Sequence, residues 1–288
     1  MRPPFACTVM RGTACKPGMI GRLRVLTWNL FHGRDFPPDP ALRTLRSRLS
    51  GRPERNRTHL QLNRELLDEF GSLLAGADWD LALLQECPPR WAAPLAAACG
   101  ASTQRVLTAR NWLLPLTSAL AARNPDLIAS WEGGSNLTLV RGEPIAERRS
   151  LVLRRLPERR TMASTRLRDG VCVANLHASG RPALAEPEVR LAAERAVAWS
   201  GEAPLILGGD FNLRPARTGL FDELADRYGL REATAPEAID HILARGLEIV
   251  EEPAAWPPEA RELEVDGLAV RLSDHPLVAA RFRRPDHG

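Results

Sequence analysis

The chain predicts an α/β fold with mixed sheets, on three observations. Short apolar runs of strand length stand near both ends, over residues 23–30 and 277–282. Segments with apolar residues at helical spacing lie between them. No internal repeat and no linker divides the 288 residues, a length that suits one large domain or two small ones. Strands and helices mixed along an undivided chain are expected to pack as layers around a shared core.

Taken in order, residues 1–20 lack hydrophobic periodicity and any unbroken apolar core of the kind a secretory signal needs. They read as a disordered tail or as an over-long start with the initiator at Met19, and one domain is expected over residues 21–284. LRVLTWNL (23–30) alternates and reads as a strand. Residues 34–57 are rich in Pro and Arg and read as a loop with room for a helical turn. Apolar residues at 66, 67, 70, 73 and 74 predict a helix over 60–74. A buried strand is expected at 81–84, and a helix at 88–99 that opens on proline, a favourable early position. A further helix is expected over 111–123, within a stretch (102–131) that otherwise matches no pattern. Strands follow at 137–140 and 151–153. Two more, 162–167 and 171–176, flank Asp169-Gly170, a strong hairpin signal. Then come a helix at 186–199, a buried strand at 204–208, a helix at 218–228, and closing strands at 239–244 and 277–282.

Composition narrows the class. Hydrophobic residues make up 44% of the chain, ordinary for a soluble globular protein, and no run of 18 apolar residues predicts a membrane span. The five cysteines are odd in number and form no C-x-x-C pair, so neither a structural zinc site nor a disulfide framework is expected. A reducing compartment, and hence a cytoplasmic location, is the simplest inference. Lys16 is the single lysine; nearly all positive charge is arginine. Residues 34–57 carry seven arginines against three acids, and residues 141–168 carry nine against three. Those segments together hold +10 in a chain of net charge +4, so the remainder is about −6 and the charge is polarised along the sequence.

Polar groups recur where the apolar strands end. Asn29 follows VLTW, Glu86 follows LALLQ, and Asn175 and His177 follow VCVA. Asp210 and Asn212 follow LILGG, Asp240 and His241 lie in AIDHIL, and Asp274 and His275 precede PLVAARF. Any one alone reads as a turn residue, a helix cap or a structural histidine. Six such sites, all of carboxylate, amide or imidazole type, point to one pocket at a common sheet edge. Glu86 and Asp274 are hard oxygen ligands that suit Mg²⁺ or Mn²⁺, and Asn29 can add a carbonyl oxygen. Asp210 can orient and deprotonate a water, with Asn212 holding that water or a phosphate oxygen. His275 can stabilise charge on a phosphoryl oxygen, with Asp240 fixing its tautomer, while the metal neutralises developing charge.

TWNL, LLQE, NLH, GGDFN, IDHIL and SDHP, in this order, resemble the endonuclease/exonuclease/phosphatase superfamily. That superfamily includes DNase I-like nucleases, abasic-site endonucleases, inositol polyphosphate phosphatases and sphingomyelinases. The resemblance runs over residues 23–282, with GGDFN and SDHP its most specific parts. SNLTLVRGEPI (135–145) loosely resembles the family strand before the central hairpin, with Asn136 facing the site. The resemblance implies a four-layer α-β-β-α sandwich, two mixed sheets face to face with helices outside. It implies metal binding by Glu86 with Asn29 and Asp274 close by, Asp210 and Asn212 at the attacking water, and Asp240 paired with His275. It also implies that Asn175 and His177 touch the scissile phosphate. The single tyrosine, Tyr228, falls in a predicted helix, so the active-site tyrosine of abasic-site endonucleases has no counterpart.

A divalent-metal phosphoesterase acting on phosphodiester bonds is therefore expected. A nuclease is favoured by the arginine-rich 34–57 loop, where Arg43, Arg46 and Arg48 are candidates to follow a phosphate backbone. A phosphatase or phosphodiesterase of a small molecule or lipid headgroup needs the same catalytic set and is the alternative. A non-catalytic binding module has no need of both Asp210 and the Asp240–His275 pair. The expected partner is nucleic acid or another phosphate ester, with the chain acting as a monomer.

Overall fold

The computed structural model describes residues 21–108, 114–125 and 133–283. Its strands are, in chain order, β1 (Arg22–Asn29), β2 (Glu54–Arg55), β3 (Leu60–Gln61), β4 (Leu81–Cys87), β5 (Ala101–Thr108), β6 (Gly134–Arg141), β7 (Ile145–Arg154) and β8 (Arg160–Leu167). They continue as β9 (Cys172–His177), β10 (Leu205–Asp210), β11 (Asp240–Arg245), β12 (Glu248–Ala255), β13 (Glu262–Val265), β14 (Leu268–Arg271) and β15 (Val278–Arg283). Two mixed sheets result, one of order β12-β15-β1-β4-β6-β5 and one of order β11-β10-β9-β8-β7. Each contains one parallel pair, β1 with β4 and β9 with β10, and the connection within each pair carries a helix, Leu67–Gly76 and Pro182–Ser200 respectively. A parallel pair needs such a crossover.

Side-chain alternation builds the layers. In β1, Leu23 and Val25 join the cluster between the sheets, with Leu81, Leu83, Val173, Ile206, Ile242, Val278 and Phe282. Leu26, Trp28 and Leu30 face the other way, onto the helices Leu67–Gly76 and Ala92–Cys99, through Phe70, Leu74 and Leu95. In the second sheet, Leu205, Leu207, Ala174 and Leu243 face helices Pro182–Ser200 and Leu220–Tyr228, through Val189, Ala193 and Leu224. The order of layers is thus helices, sheet, sheet, helices, as the resemblance implies. Among the described residues, no helix is long and apolar enough to cross a membrane.

One expectation needs correction, and two stretches without a sequence pattern form strands. The helix foreseen over 60–74 is shorter, Leu67–Gly76. Leu60 and Gln61 pair with β2 instead, the Leu62 amide is taken by Asp35 Oδ2 at 2.7 Å, and Asn63 has φ +50°, which no helix continues through. The unassigned stretch from 102 opens with edge strand β5, whose only buried residues are Gln104 and Thr108, so it carries no apolar pattern to read. Residues 248–271, left unread, form β12 and the β13–β14 hairpin. The 34–57 segment is a loop holding a short helix, Leu45–Ser50, capped by Thr44. The expectation for residues 1–20 lies outside the described residues, as does the start of the helix expected over 111–123, which runs Leu114–Arg123.

Candidate active site

The polar residues gather because they share one side of their strands. Asn29 continues the inter-sheet row of Val25 and Thr27, Asn175 and His177 that of Val173, and Asp210 that of Ile206 and Gly208. Asp240 opens the row of Ile242 and Ala244, and Asn136 that of Thr138 and Val140. Registers align the strand ends, with Asp210 opposite both His177 and Asp240, and Asn29 opposite Gln85. Alternation alone would send Glu86 outward with Ala82 and Leu84. A bulge between Leu84 and Cys87, with Glu86 at φ +48°, breaks the alternation, and Cys87 returns to the helix-facing cluster. The two glycines of GGDFN allow the close approach. A Cβ on Gly208 would lie 2.7 Å from Leu83 of the facing sheet, and one on Gly209 would lie 2.0 Å from the Leu176 carbonyl oxygen.

Asp210 is the hub. Its Oδ2 accepts from Asn29 Nδ2 at 3.0 Å, and lies 3.3 Å from His177 Nε2 and 3.9 Å from His275 Nε2. Its Oδ1 accepts from the Asn212 backbone N–H at 3.0 Å. His275 Nδ1 is 2.8 Å from Asp240 Oδ2. The loop that carries it is fixed by Trp28 Nε1 donating to the His275 carbonyl, by Arg261 donating to the Ser273 and His275 carbonyls, and by Ser273 Oγ donating to the Asn29 carbonyl. His177 Nδ1 lies 3.3 Å from Arg160 Nη1. A guanidinium can only donate, so Nδ1 accepts and the neutral ring carries its proton on Nε2, facing Asp210. Glu86 Oε2 lies 3.1 Å from His32 Nε2, and its Oε1 3.8 Å from His177 Nε2.

Electrostatics separates the carboxylates. Burial opposes ionisation of Glu86, but the imidazoles of His32, His177 and His275 and the guanidinium of Arg34 hold its carboxyl down at about 2. Burial and then the Asp240 charge raise Asp210, against the pull of His275 and the Asn29 hydrogen bond. His275 loses from burial but gains more from Asp240, Asp210 and Asp274, and is pushed up to about 10, so it is an imidazolium at neutral pH. His177 falls to about 3, through burial and the Arg160 charge, and is neutral. Two carboxyls and two imidazoles with separated proton affinities are what acid–base chemistry requires.

The structure brings Asn29, Glu86, His177, Asp210, Asn212, Asp240, Asp274 and His275 together. It commits some amides elsewhere. Asn175 is fully buried, donates toward the Leu84 and Leu137 carbonyls and accepts from Gln85 Nε2 at 2.9 Å. It therefore ties the sheets together and has no donor left for a phosphate, contrary to the expectation from the resemblance. Asn29 donates from its NH₂ to Asp210 and accepts the Phe31 amide on Oδ1 at 2.9 Å, so it orients Asp210 and keeps one lone pair on Oδ1. Asn136 is buried, donating to the Thr161 carbonyl at 2.8 Å, with its Oδ1 unpartnered. Arg46 is exposed, Arg43 lies over the Phe36 ring at 4.2 Å, and Arg48 is half-buried. His241 is structural, taking the Thr234 amide on Nδ1 at 3.2 Å and facing the Leu213 carbonyl with Nε2. Sequence reading missed His32, Arg34, Arg160 and Ser273. His32 and Arg34 follow Asn29 in the same loop, and Arg160 is the first residue of β8, the one signal each offered.

A divalent cation fits this donor set. Asp274 Oδ1 is buried without a hydrogen bond, and Glu86 stays ionised in a partly buried position, giving two hard oxygens at one end of the pocket. Asp210, Asp240 and His275 also bring ligand atoms within 4.8 Å of one another.

Two face-to-face mixed sheets, with paired carboxylates and a base–imidazolium system across their common edge, define a phosphoric ester hydrolase. The chain belongs to the endonuclease/exonuclease/phosphatase family, whose sequence model matches residues 26–275. Members of this family generally work with a divalent metal. No curated protein sequence matches this one. Among solved structures, it is similar to a family protein from Bacteroides thetaiotaomicron, at TM-score 0.60 and 15% identity over 91% of this chain and 98% of that one. It is similar to a mannosyl-6-phosphatase of the same species, at 0.59 and 14% over 90% and 99%. It is similar too to TDP2 from Caenorhabditis elegans, at 0.57 and 14% over 91% and 75%.

Proposed function

We propose that this hydrolase cleaves phosphodiester bonds of nucleic acid. Asp210, placed by Asn29 and the Asn212 amide, takes the proton of the attacking water, and burial raises its basicity toward the neutral range where a base works best. His177 offers Nε2–H to a phosphoryl oxygen, its tautomer set by Arg160. The His275 imidazolium, charged by Asp240, donates from Nε2 to the oxygen on which negative charge grows. A divalent cation held by Glu86 and Asp274 would neutralise charge on the phosphate.

One observation carries the choice of substrate. Arg43, Arg46, Arg48, Arg52, Arg55 and Arg57 lie close together in one segment and form no ion pair among the described residues, so their charge is concentrated and unmatched by local carboxylates, whereas other exposed arginines are in part paired, such as Arg190 with Glu223, and in part not, such as Arg155 and Arg231. The loop that carries these six arginines begins at the pocket: Arg34 O accepts from the Ser273 amide at 3.0 Å and the Phe36 amide donates to Arg271 O at 2.7 Å. Unmatched charge beside a phosphoesterase site suits a polyanion, each neutralised phosphate releasing a counterion. Replacing Arg46, Arg55 and Arg57 by Ser is expected to flatten the log–log salt dependence of duplex DNA binding by about two to three units. Turnover of bis-p-nitrophenyl phosphate, which spans only the carboxylate end, should barely change. An unchanged salt slope removes the support for nucleic acid.

A second reading, a phosphatase of a small phosphate monoester, is favoured by Arg160. Its guanidinium is buried beside His177, and its Nε has no partner, as a clamp for a terminal phosphate would be. Faster turnover of p-nitrophenyl phosphate than of the diester, with weak DNA binding at low salt, would select it.

A further inference from the structure

We propose that His32 is a metal ligand beside Glu86, so that the centre takes a first-row transition ion such as Mn²⁺ in preference to Mg²⁺. The proposal rests on the reading that Glu86 and Asp274 hold a divalent cation. Three imidazoles surround Glu86, and two are already committed. His177 turns Nδ1 to the Arg160 guanidinium, so its Nε2 carries hydrogen and cannot ligate. His275 gives Nδ1 to Asp240 at 2.8 Å and stands across the pocket at Asp210.

His32 differs from both. His32 is 7% exposed, its Nε2 lies 3.1 Å from Glu86 Oε2, and its buried Nδ1 has no hydrogen-bond partner. Hydrogen carried on Nδ1 would leave the Nε2 lone pair free for an ion held beside the carboxylate. Two neighbouring ligands of an octahedral ion at about 2.1 Å stand about 3.0 Å apart, close to the observed separation. The surrounding chain holds the ring in that position. His32 adopts φ +54° after Phe31 at +49°, an uncommon backbone for either residue. The turn is closed by Gly33 N–H donating to Leu30 O at 2.8 Å, and Gly33 packs so tightly on Trp91 that a Cβ would lie 2.3 Å from its ring. Imidazole nitrogen suits transition ions, whereas Mg²⁺ selects oxygen and retains water, so one nitrogen among the ligands biases the choice of ion.

The test uses the full chain and reads binding. Pulsed electron paramagnetic resonance of the Mn²⁺-loaded wild type should show a directly coordinated imidazole nitrogen, and calorimetry should show Mn²⁺ binding more tightly than Mg²⁺. His32→Asn, chosen because asparagine tolerates a positive φ, should lose the nitrogen coupling and weaken Mn²⁺ by at least about tenfold, with a smaller change for Mg²⁺. His177→Gln should keep the coupling. A wild-type Mn²⁺ spectrum without nitrogen coupling overturns the proposal with no variant needed, as does a His32→Asn protein that retains coupling and affinity. Glu86→Gln separates the two readings. Loss of all Mn²⁺ binding there, alongside unchanged binding in His32→Asn, removes His32 and leaves the carboxylate centre standing. Full affinity in Glu86→Gln removes the centre and the proposal together.

Discussion

Asp210 and His275 face each other 3.9 Å apart with opposite proton demands, one raised toward neutrality and the other kept charged. Asp210→Asn can keep the acceptor for the Asn212 amide but sets an NH₂ against Asn29 Nδ2 and the His177 Nε2–H, so kcat should fall by on the order of a hundredfold or more while the fold survives. His275→Ala should lose as much turnover, and it should also lower the melting temperature, because Asp240 is 1% exposed and would be left as an unpaired buried charge. Near-wild-type kcat in both variants would show that the reaction uses other groups. Glu86 and Asp274 are expected to make turnover depend on an added divalent cation. Activity that survives exhaustive dialysis against EDTA would contradict this.

Among the elements, β10 is the most constrained, because its Gly208-Gly209 pair passes between two backbones. Gly209 has φ +136°, and any side chain there meets the Leu176 carbonyl. Gly209→Ala should cost about 3 kcal/mol or more in urea denaturation, by steric conflict with backbone that cannot yield. A loss below about 1 kcal/mol would mean β9 and β10 can part at this point. The site end of this strand was legible in the sequence: LILGGD shows both the inter-sheet row and the acid that terminates it. Asn29, Glu86, His177, Asp210 and Asp240 were legible in the same way, as polar residues where apolar strands end. The bulge that turns Glu86 into the site defies alternation and leaves no periodic trace. Strands β5 and β12 lie at the edges of the first sheet with few buried residues, so burial never stamped an apolar pattern on them. The role of Asn175 was hidden for another reason. Whether an amide faces a substrate or ties Gln85 and Leu84 across the sheets depends on three-dimensional distance, which spacing does not encode.

Taken as a whole, the molecule divides its catalytic groups between its layers. Glu86 and Asn29 come from one sheet, and His177, Asp210 and Asp240 from the other. The chain visits those sheets unevenly. The second sheet is one continuous stretch, β7 to β11, interrupting a first sheet assembled from strands on both sides of it. Arg22 and Arg283 are paired partners in β1 and β15, so the two ends of the first sheet's chain lie side by side. A circular permutant is therefore available: residues 283 and 22 joined by a short flexible linker, and the chain reopened at exposed Gly142 between β6 and β7. Its order of synthesis would complete the second sheet before the first, and would turn the β1–β15 pairing from a distant one into a local one. Such a protein should refold faster than the natural arrangement, because closing shorter loops costs less entropy before contacts form. It should also retain turnover within a few-fold, since both catalytic half-sets reach the same edge whichever is made first. A permutant that refolds more slowly, as followed by stopped-flow fluorescence, would show that the natural order, with one sheet nested inside the other, is itself part of how the sandwich assembles.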